Sequence, residues 1–282
     1  MIRAMDSGIS GIQNLQERMD VIGNNIANVN TVGYKSARTE LADQFCQTLG
    51  APGNGQTSEQ VGLGVTTLGI FNQFTQGALS TTGVPTDVGI VGNGFFMVRD
   101  AVSDEQFATR AGDFRLDNNG YLLTPTGLRV QGFSDSGLSV RGDIQIDGTQ
   151  RPATADPAAT LASYRIDNDG RVMVQLSDGT QYARGQILMQ NFSNQQALVK
   201  EGHNLYSNVG GAGPLGGAGA PTAEAPGTNG LGQVQAGTLE LSNVDLTNEF
   251  ANMITTQRAF EANSKIITTS DEMLQAVINI KR

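Results

Sequence analysis

The stretch that decides the fold is DVIGNNIANVNTVGYKS, residues 20–36. It opens as the end of an amphipathic helix, carries Asn24, Asn25, Asn28 and Asn30, and stops at Val32-Gly33-Tyr34. Upstream, apolar residues fall at Ile2, Met5, Ile9, Ile12, Leu15, Met19, Ile22, Ile26 and Val29. These alternating short steps match a coiled-coil seam with one additional three-residue step near Ile12, a local overwinding. Gly8, Gly11 and Gly23 each cost roughly 1 kcal/mol relative to Ala inside a helix. The helix is therefore weak by itself, but its small residues let another backbone come close.

The other end of the chain repeats the pattern. Leu246, Met253, Phe260, Ile267 and Leu274 recur every seventh residue, flanked by a row of Phe250, Gln257, Ser264, Asp271 and Ile278 that turns polar in its middle. Ser242 with Asp245 reads as a capping pair at the helix start. Each large side chain buried from such a row contributes roughly 1.5–3 kcal/mol. Fixing each residue costs on the order of 1–2 kcal/mol of backbone entropy. The row alone does not settle that balance, so the expectation is that both ends are largely disordered in a free monomer and order on assembly.

Between the ends the pattern changes to short apolar runs separated by turn residues. FRLDNNGYLLT (114–124), YRIDNDGRVMVQL (164–176) and the Asp178-Gly179 step each place turn chemistry between alternating runs. Asn, Asp and Gly tolerate the positive φ angles of tight hairpins, so a mainly antiparallel β domain is expected here. The fold class is α+β. The helical ends span 1–36 and 239–282, an extended connection spans 37–75, and the β domain spans 76–238. Within it, the Gly/Ala/Pro-rich segment 209–232 reads as a long flexible loop.

Composition narrows the function. The 282 residues carry a net charge of −9 and no Lys/Arg run, which argues against nucleic-acid binding. No apolar window is long enough to span a membrane, and the first residues lack the apolar core of a cleaved secretory signal. Cys46 and His203 are each the sole residue of their type. No disulfide or cysteine-based metal site can form within one chain. Cys46 reads as a small apolar filler and His203 as part of a surface loop. The glycines of GIVGNGFF lead into a strand, where a dinucleotide fingerprint needs a helix N-terminus. The Asp-Asn-x-Gly turns lack the glycine position and closing glutamate of a calcium loop. No catalytic, cofactor or metal residue is therefore assigned, and the chain is not expected to be an enzyme.

Taken with both helical ends, NNIANVNTVGYK (24–35) and SNVDLTNEFANMITTQRAFEANSKIITTSDEMLQ (242–275) resemble the terminal signatures of the axial proteins of the bacterial flagellar hook and rod. GIFNQFTQGALSTTGVPTDVGIVGNGFFMVRD (69–100) and HNLYSN (203–208) agree with that family's β domain. The resemblance covers nearly the whole chain and is closest to the hook, with the distal rod next. Only GTQRPATADPAAT (148–160) stands where hook proteins carry a further β domain. The resemblance implies a structural subunit of the hook–basal body, exported unfolded through the flagellar type III gate and polymerised into a hollow tube. Its partners would be copies of itself, neighbouring axial proteins and the export apparatus. The residues expected to pack subunits are Ile12, Met19, Ile22, Asn24, Asn25, Ile26 and Asn28 at one end. At the other they are Leu246, Phe250, Met253, Phe260, Ile267 and Leu274. Asparagine amides would bond where subunits cross, with no charge to desolvate, and Thr31 and Gly33 would turn the chain toward the β domain. Phe45 and Leu49 fit a short export signal. A soluble β binding module with helical oligomerisation ends is the competing class.

Overall fold

A computed structural model describes residues 2–50, 59–152, 155–215 and 223–280, the side chains of 2, 47–50 and 59–60 excepted. Two compact units emerge. One contains residues 1–29, 36–73 and 244–282; the other contains 30–35 and 74–243.

The first unit comprises helix α1 (Ile2–Ala27), helix α2 (Leu246–Ile280) and strands β1 (Ala37–Asp43), β2 (Cys46–Gly50), β3 (Glu59–Gly62) and β4 (Val65–Asn72). The segment read as an extended connection is a paired structure: β1 runs antiparallel to β4 from Ala37↔Asn72 to Asp43↔Val65, and β2 to β3. Residues 65–71 of β4 alternate between half-buried and exposed, and the apolar Leu68 and Ile70 on the exposed side hide that period in the sequence. At the start of α2, the Asp245 carboxylate accepts from the backbone N–H of Thr247 at 2.8 Å and of Asn248 at 3.4 Å. Asp245 is thus the cap itself, in place of the pair read at Ser242, because the helix begins one residue later.

The second unit holds the remaining strands: β5 (Leu79–Thr81), β6 (Val88–Val91), β7 (Phe95–Arg99), β8 (Gln106–Thr109), β9 (Arg115–Leu116), β10 (Leu122–Leu123), β11 (Arg129–Phe133) and β12 (Arg141–Asp143). They are followed by β13 (Leu161–Ile166), β14 (Arg171–Leu176), β15 (Gln181–Ile187), β16 (Met189–Gln190), β17 (Val199–Gly202), β18 (Leu205–Ser207), β19 (Gln233–Ala236) and β20 (Thr238–Glu240). The main sheet runs β13-β14-β15-β11-β7-β8-β18-β17, while β19 pairs with β6 and β20 with β5. Strand β7 organises the core because it is buried on both faces. Phe96 and Val98 join Val88, Val130, Val174 and Ile187, and Phe95 and Met97 join Phe192, Leu198 and Tyr206 on the other side. The expected hairpins form: Gly120, Gly170 and Gly179 all take positive φ at their turns.

The segment 209–232 behaves differently from the flexible loop its composition suggests. Val209, Ala212 and Ala223 are buried against the Phe95–Phe192 cluster. Met189 and Glu224 exchange backbone hydrogen bonds at 2.8 and 2.9 Å. Small side chains let this backbone lie close over the sheet. Residues 216–222 lie outside those described.

At the centre of the second unit is a fully buried charge triad. The Lys35 ammonium donates to Glu240 Oε1 at 2.7 Å and to the Thr75 carbonyl at 2.7 Å. Arg110 Nη1 lies 3.4 Å from Glu240 Oε2, and the Gly77 N–H donates to Oε1 at 2.8 Å. Burial pushes the Lys35 pKa down, against the pull of the Glu240 charge. Next to it, Gly33 takes φ +68°, its N–H donating to the Glu240 carbonyl at 2.7 Å. A Cβ there would stand 2.6 Å from the Ala111 nitrogen, so only glycine fits. Asn204 and Lys200 then hold the carbonyls of Val32 and Lys35 at 2.6 and 2.9 Å.

Glu240→Ala leaves two buried cations without their counter-charge and is expected to cost about 3–5 kcal/mol, read as a lowered urea midpoint by tyrosine fluorescence. Arg38→Ala, which removes the exposed pair with Glu40, should cost only about 0.2–1 kcal/mol; equal losses would deny the triad its role. Gly33→Ala should cost at least about 1–2 kcal/mol from the left-handed backbone alone, and an unchanged midpoint would contradict the crowding at Ala111.

Candidate assembly surface

The two terminal helices lie antiparallel, and small residues set how close they come. A Cβ on Gly8 would sit 3.2 Å from Ile267 Cγ1, and one on Gly11 would sit 2.9 Å from Asn263 Nδ2. Leu15 and Ile22 are buried on the same face of α1, while Ile12, Met19 and Ile26 are half-buried along its edge. From α2, Met253, Phe260, Ile267 and Leu274 are half-buried. The middle of the seven-residue row thus lies on the side of α2 that packs against the chain's own N-terminal helix, while Leu246 at its start stays exposed.

A polar face of α1 grips the β1–β4 pair. Asn14 Nδ2 donates to the Val65 carbonyl at 2.9 Å and Asn14 Oδ1 accepts from Thr67 Oγ1 at 2.6 Å. The Val65 N–H reaches Ser10 Oγ at 3.4 Å. The sequence analysis assigned these residues no role, because Ser10 and Asn14 lie off the apolar seam.

The asparagine cluster divides. Asn25 is 1% exposed. Its Nδ2 donates to the Ala37 carbonyl at 2.8 Å and to Glu249 Oε1 at 3.0 Å, and its Oδ1 accepts from the Ala37 N–H at 3.0 Å. That amide was expected at subunit crossings; in the structure it ties α1, β1 and α2 of one chain together. Asn28 Nδ2 donates to the Asn24 carbonyl and Oδ1 at 2.9 and 3.0 Å, closing the last turn of α1. Phe45 is 93% exposed between β1 and β2; the side chain of Leu49 lies outside those described. Cys46 is exposed and so is not the apolar filler expected. His203 is exposed with φ +51° in the β17–β18 turn.

Among the mostly polar exposed residues of α2, several large apolar ones remain uncovered. Leu246, Phe250 and Ile254 are 38%, 48% and 52% exposed and share one face at four-residue spacing. Ile266, Met273, Val277 and Ile280 form a second exposed stripe toward the C-terminal end. On β4, Leu68 and Ile70 also face outward. Only Phe250 and Leu246 of these were singled out from sequence; the spacing that marks the others was masked by the stronger seven-residue row. Among the described residues, no cluster of His, Cys, Asp or Glu suits a metal, and no helix is long and apolar enough to cross a membrane.

Asn25→Ala strands the Ala37 N–H and carbonyl in a buried place and is expected to cost about 1–3 kcal/mol, measured by helical circular dichroism on thermal melting. Asn24→Ala, at an exposed position, should leave the melt nearly unchanged; a loss equal to that of Asn25→Ala would contradict this division.

Three sequence-family profiles match: "Flagella basal body rod protein" over residues 5–35, "Flagellar hook protein FlgE/F/G D1 domain" over 89–174, and "Flagellar basal body rod FlgEFG protein C-terminal" over 235–280. A flagellar basal-body rod protein FlgG of Bacillus subtilis (strain 168) is 40% identical over the full length of both chains. FlgG of Borreliella burgdorferi (strain ATCC 35210 / DSM 4680 / CIP 102532 / B31) is 34% identical, again over the full length of both. A flagellar hook protein FlgE of Treponema pallidum (strain Nichols) is 26% identical across all of both chains, in an alignment of 471 positions. That length exceeds the 282 residues here, so the hook protein carries sequence that this chain lacks. Matched along its whole length by such relatives and by profiles at both helical ends, the chain belongs to the flagellar basal-body rod and hook protein family, structural subunits of the bacterial hook–basal body that assemble with other axial components.

Proposed function

We propose that this chain is a rod-type subunit that polymerises with copies of itself through the first unit, after export by the flagellar type III apparatus, and that it has no enzymatic activity. The observation that carries the reading is the apolar surface left on α2 once α1 is in place. Phe250, Ile254, Met273 and Val277 stand about half-exposed on a helix whose other face is already occupied. Apolar stripes of this kind cost solubility unless a partner covers them. The packing residues named from sequence thus take two roles. The half-buried row holds the chain's own helices together, and the exposed residues meet neighbours.

Rod is preferred to hook on size. The rod relatives align end to end with this chain, whereas the hook relative needs many more positions. A short, tightly tied loop stands where the notably longer protein would have room for more. There Arg184 donates from Nε to Asp147 at 2.6 Å, and Arg151 Nη1 donates to the carbonyls of Asp156, Pro157 and Ala159.

Phe250→Asp with Ile254→Asp places charge on the exposed face without touching the α1 contact. Polymer formation, read by sedimentation, should be lost while the helical and β signals stay intact; full assembly by the double variant would remove the reading. Electron microscopy of cells lacking the chain should show a truncated rod. A finished rod without a hook would point to the hook position.

A further inference from the structure

In the second unit a cleft of about 250 Å³ opens between residues 31–32, the stretch 109–113 at the end of β8, the β10–β11 turn and the β17–β18 turn. Val32, Ala111, Pro125 and Leu205 supply its apolar wall. Several polar groups around it are engaged within the chain. Asn204 Nδ2 donates to the Val32 carbonyl at 2.6 Å, and Thr109 Oγ1 donates to the Asn204 carbonyl at 2.9 Å. The hydroxyls of Thr124 and Thr126 share a hydrogen bond at 2.8 Å. The cleft is therefore shaped by bonds that involve no ligand.

Asp113 stands where this cleft meets a second one, of about 410 Å³, that runs past Asp87, Leu116 and Tyr164. Asp113 is half-buried. Beyond its own backbone N–H, its carboxylate has no hydrogen-bond donor and no ion-pair partner among the described residues. Asp87 lies directly opposite across an antiparallel bridge, and like charges so placed repel. Burial pushes the Asp113 pKa up, and the Asp87 charge adds to the rise against the pull of its own N–H and of Arg115. An anion in such a place is stabilised by a cation that reaches it. Among the described residues, no group of three acidic, His or Cys ligands forms that could hold a metal. The apolar wall points instead to a cation with an aliphatic stem.

We propose that this cleft receives a lysine side chain presented by another protein, with its stem along Val32, Pro125 and Leu205 and its ammonium at Asp113. Lysine lays its methylenes on apolar surface while its charged head seeks a counter-charge, and the cleft offers both. The ammonium is a compact point charge that a single carboxylate satisfies, whereas the planar fork of arginine calls for acceptors side by side. The Thr124 and Thr126 hydroxyls, the nearest candidates, are already bonded to each other. The family assembles with other axial components, which makes a neighbouring protein the source of the lysine. The cleft lies wholly within the β unit, so the proposal goes beyond the self-polymer reading and does not depend on it.

The test treats the full-length chain with a water-soluble carbodiimide and an amine, and locates coupled carboxylates by peptide mass spectrometry. The amines are Nα-acetyl-lysine amide and glycinamide, which lacks the stem. Coupling at Asp113 is divided by coupling at the exposed Glu105, and comparing two amines cancels the intrinsic reactivity of each carboxylate. The ratio should be roughly fivefold higher with the lysine amide, the scale of one partly buried ion pair. Equal ratios would overturn the cleft as a lysine site. A second arm applies the carbodiimide alone to intact hook–basal bodies that contain the chain. Asp113 should then be joined to a lysine of a second polypeptide. An Asp113 peptide that carries no such link, or only a small free amine, would overturn the protein partner whatever the first arm gives.

Discussion

The buried Lys35–Glu240–Arg110 triad is the constraint on which the second unit depends. Lys35 closes the signature that follows α1, and Glu240 ends the last strand before α2. Their 2.7 Å contact joins residues 205 positions apart, so the short segment 30–35 is fixed to the last strand of the β unit. Three charges in a fully buried setting are stable only as a set. The Thr75 and Gly92 carbonyls and the Gly77 N–H add hydrogen bonds to those of the charge pairs. Gly33 and Tyr34 are held beside the triad, with the Lys200 ammonium 4.5 Å from the Tyr34 ring centre.

The first unit uses weaker means. Its helices meet across glycines and half-buried apolar groups, and its hairpin is held by hydroxyl and amide bonds from α1. Such an arrangement buries little apolar area per residue compared with the β unit, whose β7 is buried on both faces. A structural subunit that is to be one tile in a larger surface has reason to be built in this way. Several large apolar residues of α2 and β4 stay exposed once the helices are fixed in register.

The fold class was legible from periodicity. The row of large residues every seventh position at the C-terminal end, the seam behind Asn24, and the Asn/Asp-Gly turns gave helices at the ends and hairpins between. Hook and rod signatures placed the chain among structural proteins of the hook–basal body, and full-length relatives agree. Less legible were the elements without a clean period. The β1–β4 pair looked like a connection because apolar residues stand on both faces of β4, Leu68 and Ile70 outward and Val65 and Phe71 inward, which blurs the alternation. The stretch 209–215 looked loose because glycine and alanine carry no pattern. Cys46 was misjudged because burial of a small residue depends on neighbours that local sequence does not name.

By itself, then, the sequence determined the two helical ends and the Asn/Asp-Gly hairpins of the β unit, since turn chemistry and side-chain period are local properties. Only the tertiary structure decided what each face touches. It spent Asn25 inside the chain, matched Lys35 to a glutamate far along the sequence, and turned one apolar stripe of α2 inward while leaving two others bare. Those outcomes depend on register and on distances between segments remote in sequence, and no local pattern encodes them.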